Sequence, residues 1–246
     1  MTRQKEKIAI KVEDLTVAYR NTPVLWDVDV RVPQGTLAAI VGPNGAGKST
    51  LIKAALELIK PLSGKVRFFQ QTYTQYHKKI AYVPQKEAVN WDFPTTVLDA
   101  VTMGRYGALG WFTRVKKSDR ALALAALERL HMESFAERHI SELSGGQQQR
   151  VFLARALVQN VDIYFLDEPF VGIDKQTEAI IIDILRELQK AGKTIVVVHH
   201  DLSTITSYFD YIIMLDKVVL AQGPVKEVFT KKNIEKTFGI KGSVEG

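Results

Sequence analysis

Gly42-Pro43-Asn44-Gly45-Ala46-Gly47-Lys48-Ser49-Thr50 fits the pattern G-x-x-x-x-G-K-[ST] and stands where that pattern has mechanical meaning. Before it, Thr36-Leu37-Ala38-Ala39-Ile40-Val41 is an apolar run of strand length. After it, Leu51, Ile52, Ala55, Leu56 and Ile59 recur at helical spacing. A strand feeding a glycine loop that opens a helix turns backbone N–H groups and the positive helix end onto a phosphate chain. Lys48 is expected to reach the outer phosphates of a nucleotide, and the Ser49 hydroxyl to bind Mg²⁺. A chance glycine-rich turn would not carry the strand and the helix on the correct sides.

The 246 residues suit one large α/β domain, or one core with a smaller appendage. A hydrophobic content of 46% with 24% charged residues excludes wholesale disorder. Cysteine is absent, which excludes disulfides, thiolate metal sites and a cysteine nucleophile. The formal net charge of +6 is scattered, with only small clusters at Arg114-Val115-Lys116-Lys117 and Lys231-Lys232. No aromatic residues interleave with them, so the charge reads as a solvated surface and no nucleic-acid partner is expected. Met1 to Lys7 leads into a strand-like segment, and no apolar run approaches bilayer-spanning length, so the chain is expected to be soluble by itself. His77, His131 and His139 stand in polar contexts without ligand spacing, and no metal site is assigned to them.

The N-terminal part reads as strands. Ile8 to Val12 and Leu15 to Tyr19 are followed by Val24 to Val32. There Trp26, Val28, Val30 and Val32 alternate with Asp27, Asp29 and Arg31, the period of a half-buried antiparallel strand. From Thr95 to about Glu142 the pattern is helical, with Ala121 to Leu127 inside one helix. From Ile163 onward a strand to Leu166, a helix from about Gln176 to Lys190 and a strand from Thr194 to Val198 give the alternation of a parallel sheet. The expected architecture is an α/β phosphate-loop core with an N-terminal antiparallel β subdomain and an inserted α-helical subdomain. The core takes residues 1–94 and 160–246, and the helical subdomain about 95–159. Short helices are expected from Pro224 to Phe238, and residues 241–246 are expected to be flexible.

Two further stretches carry chemistry. Ile163-Tyr164-Phe165-Leu166-Asp167-Glu168 is an apolar strand ending in two carboxylates. Beside a phosphate loop, Asp167 could hold Mg²⁺ directly or through water, and Glu168 could polarise an attacking water. Leu143-Ser144-Gly145-Gly146-Gln147 opens a helix that runs through Gln148, Arg150, Leu153, Ala154 and Leu157. Ser144 is expected to cap it, with the two glycines letting backbone amides approach an anion.

Together these stretches resemble the ATP-binding subunits of ABC transporters over nearly the whole chain. Gly42 to Thr50 resembles their Walker A loop, Leu143 to Gln147 their signature motif, and Ile163 to Glu168 their Walker B strand with its catalytic glutamate. Tyr82-Val83-Pro84-Gln85 resembles the Q-loop, which implies that Gln85 approaches Mg²⁺ and the attacking water. Tyr19 fits the aromatic residue that stacks on adenine, and Asp174, in Phe170-Val171-Gly172-Ile173-Asp174, fits the acidic residue of the D-loop. His200-Asp201 matches the switch-histidine pattern, so His200 is expected near the γ-phosphate. For His199, which falls where the family often has Thr, a place at a strand end and a catalytic role both remain open.

The resemblance implies an ATPase using Mg-ATP in a head-to-tail dimer. ATP on one copy's loop would be closed over by Ser144, Gly145 and Gly146 of the other. It also implies an integral membrane permease, a place on the cytoplasmic face of the membrane, and indirectly an extracytoplasmic metal-binding protein. Asn90-Trp91-Asp92-Phe93-Pro94, Val101 to Gly107, Glu168 to Asp174 and Val198 to Leu202 look like the ATPases of bacterial manganese, zinc and iron importers, manganese systems most. Residues 86–110 are expected to help form the groove for a cytoplasmic helix of the permease. The alternatives are a zinc or iron/chelate importer, or a non-transport ABC ATPase acting in translation or on DNA. Against the last stand the single ATPase domain and the lack of sustained heptads. Intact Lys48, Asp167, Glu168 and His200 argue against a subunit that does not hydrolyse ATP.

Overall fold

A computed structural model of the chain describes residues 7–20, 22–86, 94–109 and 115–239. Residues 87–93 and 110 of the segment expected to dock the permease, among them Trp91 and Phe93, and the C-terminal residues 241–246 lie outside the described residues. In chain order the first elements are β1 (Ile8–Tyr19), β2 (Thr22–Pro33), β3 (Leu37–Val41), α1 (Lys48–Ala55), β4 (Ser63–Phe68), α2 (Tyr73–Tyr76) and β5 (Ile80–Val83). Next come α3 (Val97–Thr102), α4 (Tyr106–Leu109), α5 (Lys117–Glu128), α6 (Gly145–Leu157), β6 (Ile163–Asp167) and α7 (Lys175–Lys190). The chain closes with β7 (Thr194–Val198), α8 (Ile205–Tyr208), β8 (Tyr211–Asp216), β9 (Val218–Pro224), α9 (Val225–Val228) and α10 (Lys231–Phe238). By compactness it divides into two units, one of residues 1–77 with 188–246 and one of residues 78–187.

In the first unit β1 lies between β2 and β4 in an antiparallel sheet. β1 is one strand where the sequence suggests two, because Asp14 takes a left-handed φ of 52° and the pairing slips between Val12 and Leu15 without ending. A second left-handed residue, Asp27 at φ 47°, interrupts β2. The irregularity turns Trp26 outward, 59% exposed, while Leu25, Val28, Val30 and Val32 stay buried. The strict alternation expected for Trp26 thus fails at a bulge, where one extra residue reverses the facing of its neighbours. β3 pairs in parallel with β7 and β8, and β9 closes that edge antiparallel to β8. β3 and β7 are buried along their full length, as parallel strands covered on both faces must be.

In the second unit β5 and β6 run parallel in the register Ile80↔Ile163 to Val83↔Leu166. The helices α3, α5 and α6 pack on one another. Thr96 caps α3 by accepting from the Asp99 N–H at 3.2 Å. Arg105 ties the cluster together, donating to Asp119 at 3.2 Å and to the Val158 carbonyl at 2.8 Å. No helix among the described residues is long and apolar enough to cross a membrane.

Candidate functional site

The phosphate-loop pattern folds as strand, loop and helix, from β3 through residues 42–47 into α1. Gly42 must be glycine, since a Cβ there would stand 1.9 Å from the Leu215 carbonyl oxygen. Gly47 caps α1 at a left-handed φ of 94°, and a Cβ would stand 2.5 Å from a Leu25 methyl. Lys48 is nearly buried and curls back on the loop, its Nζ donating to the carbonyls of Gly42 at 2.8 Å and Pro43 at 2.9 Å. Thr50 is buried as well, while Ser49 is half-buried, and Asn44 and Gly45 are exposed at the tip. Ala46 is buried, and its carbonyl accepts from Lys217 N–H at 2.9 Å. Lys217 in turn accepts from Trp26 N–H at 2.8 Å, so the loop is pinned to the β8–β9 turn and to β2.

In the same unit Tyr19 ends β1 with 48% of its surface exposed, a free ring face of the kind that could stack on a base. The two adjacent histidines separate completely. His200 is exposed, whereas His199 is 4% exposed. His199 Nε2 lies 2.7 Å from Thr204 Oγ1, and its ring packs tilted on Phe209 at 5.2 Å between centroids. Thr204 Oγ1 donates to the Asp201 carbonyl, which leaves it to accept from the His199 ring. Burial lowers the His199 pKa to about 4, so the ring is neutral at neutral pH. His199 is thus part of the packing at the strand end, whereas His200 reaches the surface.

The second unit holds the remaining candidates. Asp167 ends β6 with no exposed surface, and the Tyr82 hydroxyl donates to its Oδ2 at 3.4 Å. The β5–β6 register explains the pair: Tyr82 faces Phe165, and Asp167, two residues on, shares that face. Glu168 follows at a left-handed φ of 56° and is half-buried. A non-glycine residue held there costs on the order of 1–3 kcal/mol, and in a functional cleft such strain re-aims the side chain. Gln85, just past β5, is also half-buried.

Ser144 caps α6 in a reciprocal box. Its Oγ accepts from Gln147 N–H at 3.4 Å, and Gln147 Oε1 accepts from Ser144 N–H at 2.8 Å. Asp174 caps α7, accepting from the Thr177 N–H at 2.9 Å and its hydroxyl at 2.8 Å, and those bonds hold its carboxyl below the usual carboxylate range. Ser144, Gly145, Gly146, Gln147 and Asp174 line one cleft of about 510 Å³ within this unit.

The family model for the ABC transporter matches residues 25–171. That span runs from within β2, through β3 and the phosphate loop, to just past the two carboxylates. The chain belongs to the ABC transporter family. It is 54% identical over 231 residues to the zinc transport system ATP-binding protein TroB of Treponema pallidum (strain Nichols), covering 94% of this chain and 87% of that one. It is 53% identical over 230 residues to the manganese transport system ATP-binding protein MntB of Bacillus subtilis (strain 168), covering 94% and 92%. Among solved structures it is similar to a dimeric ATP-binding cassette in a post-hydrolysis state with ADP and Pi. There the TM-score is 0.77 at 29% identity, covering 88% of this chain and 98% of that one.

As an ABC transporter ATP-binding subunit the chain binds ATP and hydrolyses it. Three residues beside the candidate set escaped the sequence reading. Tyr82 stands in the Tyr82-Val83-Pro84-Gln85 stretch, yet only the strand register shows it bonded to Asp167. Lys86 and Arg150 line the cleft of the signature motif, and nothing in their local sequence marks them.

Proposed function

We propose that the chain is the ATPase of an importer for a divalent metal ion, with manganese the first candidate and zinc the second. The observation that carries the reading is the match at about half identity, along nearly the full chain, to ATP-binding subunits of manganese and zinc transport systems. The cargo would pass through a membrane permease, supplied by an extracytoplasmic binding protein, while this chain works at the cytoplasmic face.

In this reading the phosphate loop from Gly42 to Thr50 wraps the phosphates of ATP. Pro43, Asn44, Gly45, Ala46 and Gly47 present backbone, and Lys48 turns its ammonium from the loop carbonyls to the outer phosphates. Tyr19 stacks on adenine. The hydroxyl of Ser49, the amide of Gln85 and the carboxylate of Asp167 are oxygen donors of the hard kind that Mg²⁺ prefers, and Asp167 is already desolvated with a hydroxyl aimed at it. Bound there, Mg²⁺ would neutralise charge on the β- and γ-phosphates. Glu168 accepts the proton of the attacking water, His200 holds the γ-phosphate, and Gln85 orients the water.

A second copy completes the site. Its Ser144, Gly145, Gly146 and Gln147 offer the N-terminus of α6 to the γ-phosphate, and its Asp174 lies alongside. ATP then joins two copies, and cleavage releases them. A strain lacking this chain should lose most manganese accumulation, measured as cell metal content after growth in limiting manganese. Restoration by the intact chain is expected, with none by Lys48→Ala. Unchanged manganese with depleted zinc would transfer the assignment to zinc, and unchanged content of both would overturn metal import.

A further inference from the structure

We propose that His199 is a positioning residue for ATP hydrolysis, fixing the chain on both sides of His200 so that the exposed imidazole is held in one place. The proposal rests on the reading above that His200 holds the γ-phosphate, and gives its neighbour a task in the same step.

The geometry lies wholly within the first unit. The backbone N–H of His199 donates to the Ile40 carbonyl at 3.0 Å, which ties the end of β7 to β3 two residues before Gly42. Its ring then reaches forward along the chain, with Nε2 2.7 Å from Thr204 Oγ1. The Thr204 hydroxyl donates in turn to the Asp201 carbonyl at 3.0 Å. These bonds in series run from residue 199 to residue 204 and back to residue 201, and His200 lies inside the closed loop. The Asp201 carboxylate is engaged as well, its Oδ1 accepting from Ser203 N–H at 2.9 Å and from the Ser203 hydroxyl at 2.6 Å. Asp201 thereby caps the short 3-10 turn Leu202–Thr204. Phe209 and Tyr208 wall the His199 ring at 5.2 Å and 6.3 Å between centroids, which leaves it little room to swing.

Such a clasp matters because His200 is exposed just past a strand end. An exposed loop residue spreads over many conformers, and ordering it anew at each turnover costs conformational entropy. Bonds made in advance by residues 199, 201 and 204 meet that cost on folding, so a group that must contact a transferring phosphoryl is in position beforehand. The chemistry of residue 199 suits the task. Thr204 Oγ1 gives its one proton to Asp201, so its partner at position 199 must be a donor. A neutral imidazole protonated on Nε2 is such a donor, and burial keeps the ring neutral by lowering its pKa.

The test compares His199→Phe, His199→Gln and Thr204→Val in the full chain, each with and without His200→Ala. Phenylalanine keeps a ring and loses the donor, whereas glutamine keeps an N–H for Thr204. Hydrolysis is followed by release of labelled phosphate, under single-turnover conditions for the slow His200→Ala series, and urea unfolding checks the fold. His199→Phe and Thr204→Val should each lower kcat about tenfold, the scale on which a small misplacement of a reacting group acts. KM for ATP should stay within about twofold, since the phosphate loop is untouched. His199→Gln should recover most of kcat. With His200→Ala present, the same substitutions should change the residual rate by less than about twofold, because the group they position is gone. A merely structural residue would lower both series by one factor, and that result overturns the proposal. So does a parent-like kcat in His199→Phe and Thr204→Val, or a loss in His199→Gln as large as in His199→Phe. Should His199→Phe fail to fold, Thr204→Val, at a half-buried site, decides alone. If His200→Ala by itself hydrolyses ATP as the parent does, the role given to His200 falls, and the proposal with it.

Discussion

The Tyr82 hydroxyl donates to Asp167 Oδ2 across neighbouring parallel strands, at 3.4 Å and against a carboxylate with no exposed surface. Burial first, and the Asp167 charge second, hold the phenol well above the ordinary tyrosine range, so it remains a donor at every physiological pH. Tyr82→Phe removes that donor from a buried carboxylate. It should lower stability by about 1–2 kcal/mol in urea unfolding and raise the Mg²⁺ concentration for half-maximal ATPase severalfold. Unchanged values for both would mean that the hydroxyl has no weight at Asp167.

His199 makes stability depend on pH. Its pKa falls from 6.5 in the unfolded chain to about 4 in the fold, so the unfolded state takes up a proton first as the solution is acidified. The contribution is present above pH 6.5 and is lost as the pH drops toward 4, amounting to about 3 kcal/mol at that end. His199→Gln keeps an N–H for Thr204 and cannot titrate. Urea midpoints at pH 7, 5.5 and 4.5 should converge for the variant and parent on the acid side. A parallel pair of curves would show that the ring titrates normally.

Gly42→Ala places a methyl 1.9 Å from the backbone oxygen of Leu215, and backbone cannot swing aside as a side chain can. Either the loop or β8 must move. The variant should lose about 3 kcal/mol or more of stability and most nucleotide binding, read by urea unfolding and ATP titration. A soluble variant that binds ATP as the parent does would show the loop to be far softer than its packing implies.

Glu168→Gln removes the proposed proton acceptor and keeps the shape of the side chain. ATP turnover should fall about a hundredfold or more, while ATP still binds and joins two copies. Steady-state phosphate release together with sedimentation in ATP distinguishes this from a binding defect. Turnover near that of the parent would reassign the base.

The phosphate loop was legible because its chemistry is local. A strand, a run of glycines and a helix within a few residues dictate where the backbone N–H groups point. The cap at Ser144 and the acidic end of β6 were legible for the same reason, each being a short-range relation between side chain and adjoining backbone. Trp26 was misread because alternation presumes an unbroken strand, and the left-handed Asp27 breaks it. β4, β8 and β9 were not expected either. Pairing makes strands of them, β4 on β1, β8 on β3 and β9 on β8.

By itself, then, the sequence determined the family, the reaction and the residues whose partners lie a few positions away. Tertiary structure decided between identical neighbours, burying His199 on Thr204 and Phe209 while exposing His200. It also joined Tyr82 to Asp167. The reason is range. Helical caps and loops are set by torsions within one turn of chain, whereas these pairs depend on strand register and packing between segments that only folding brings together.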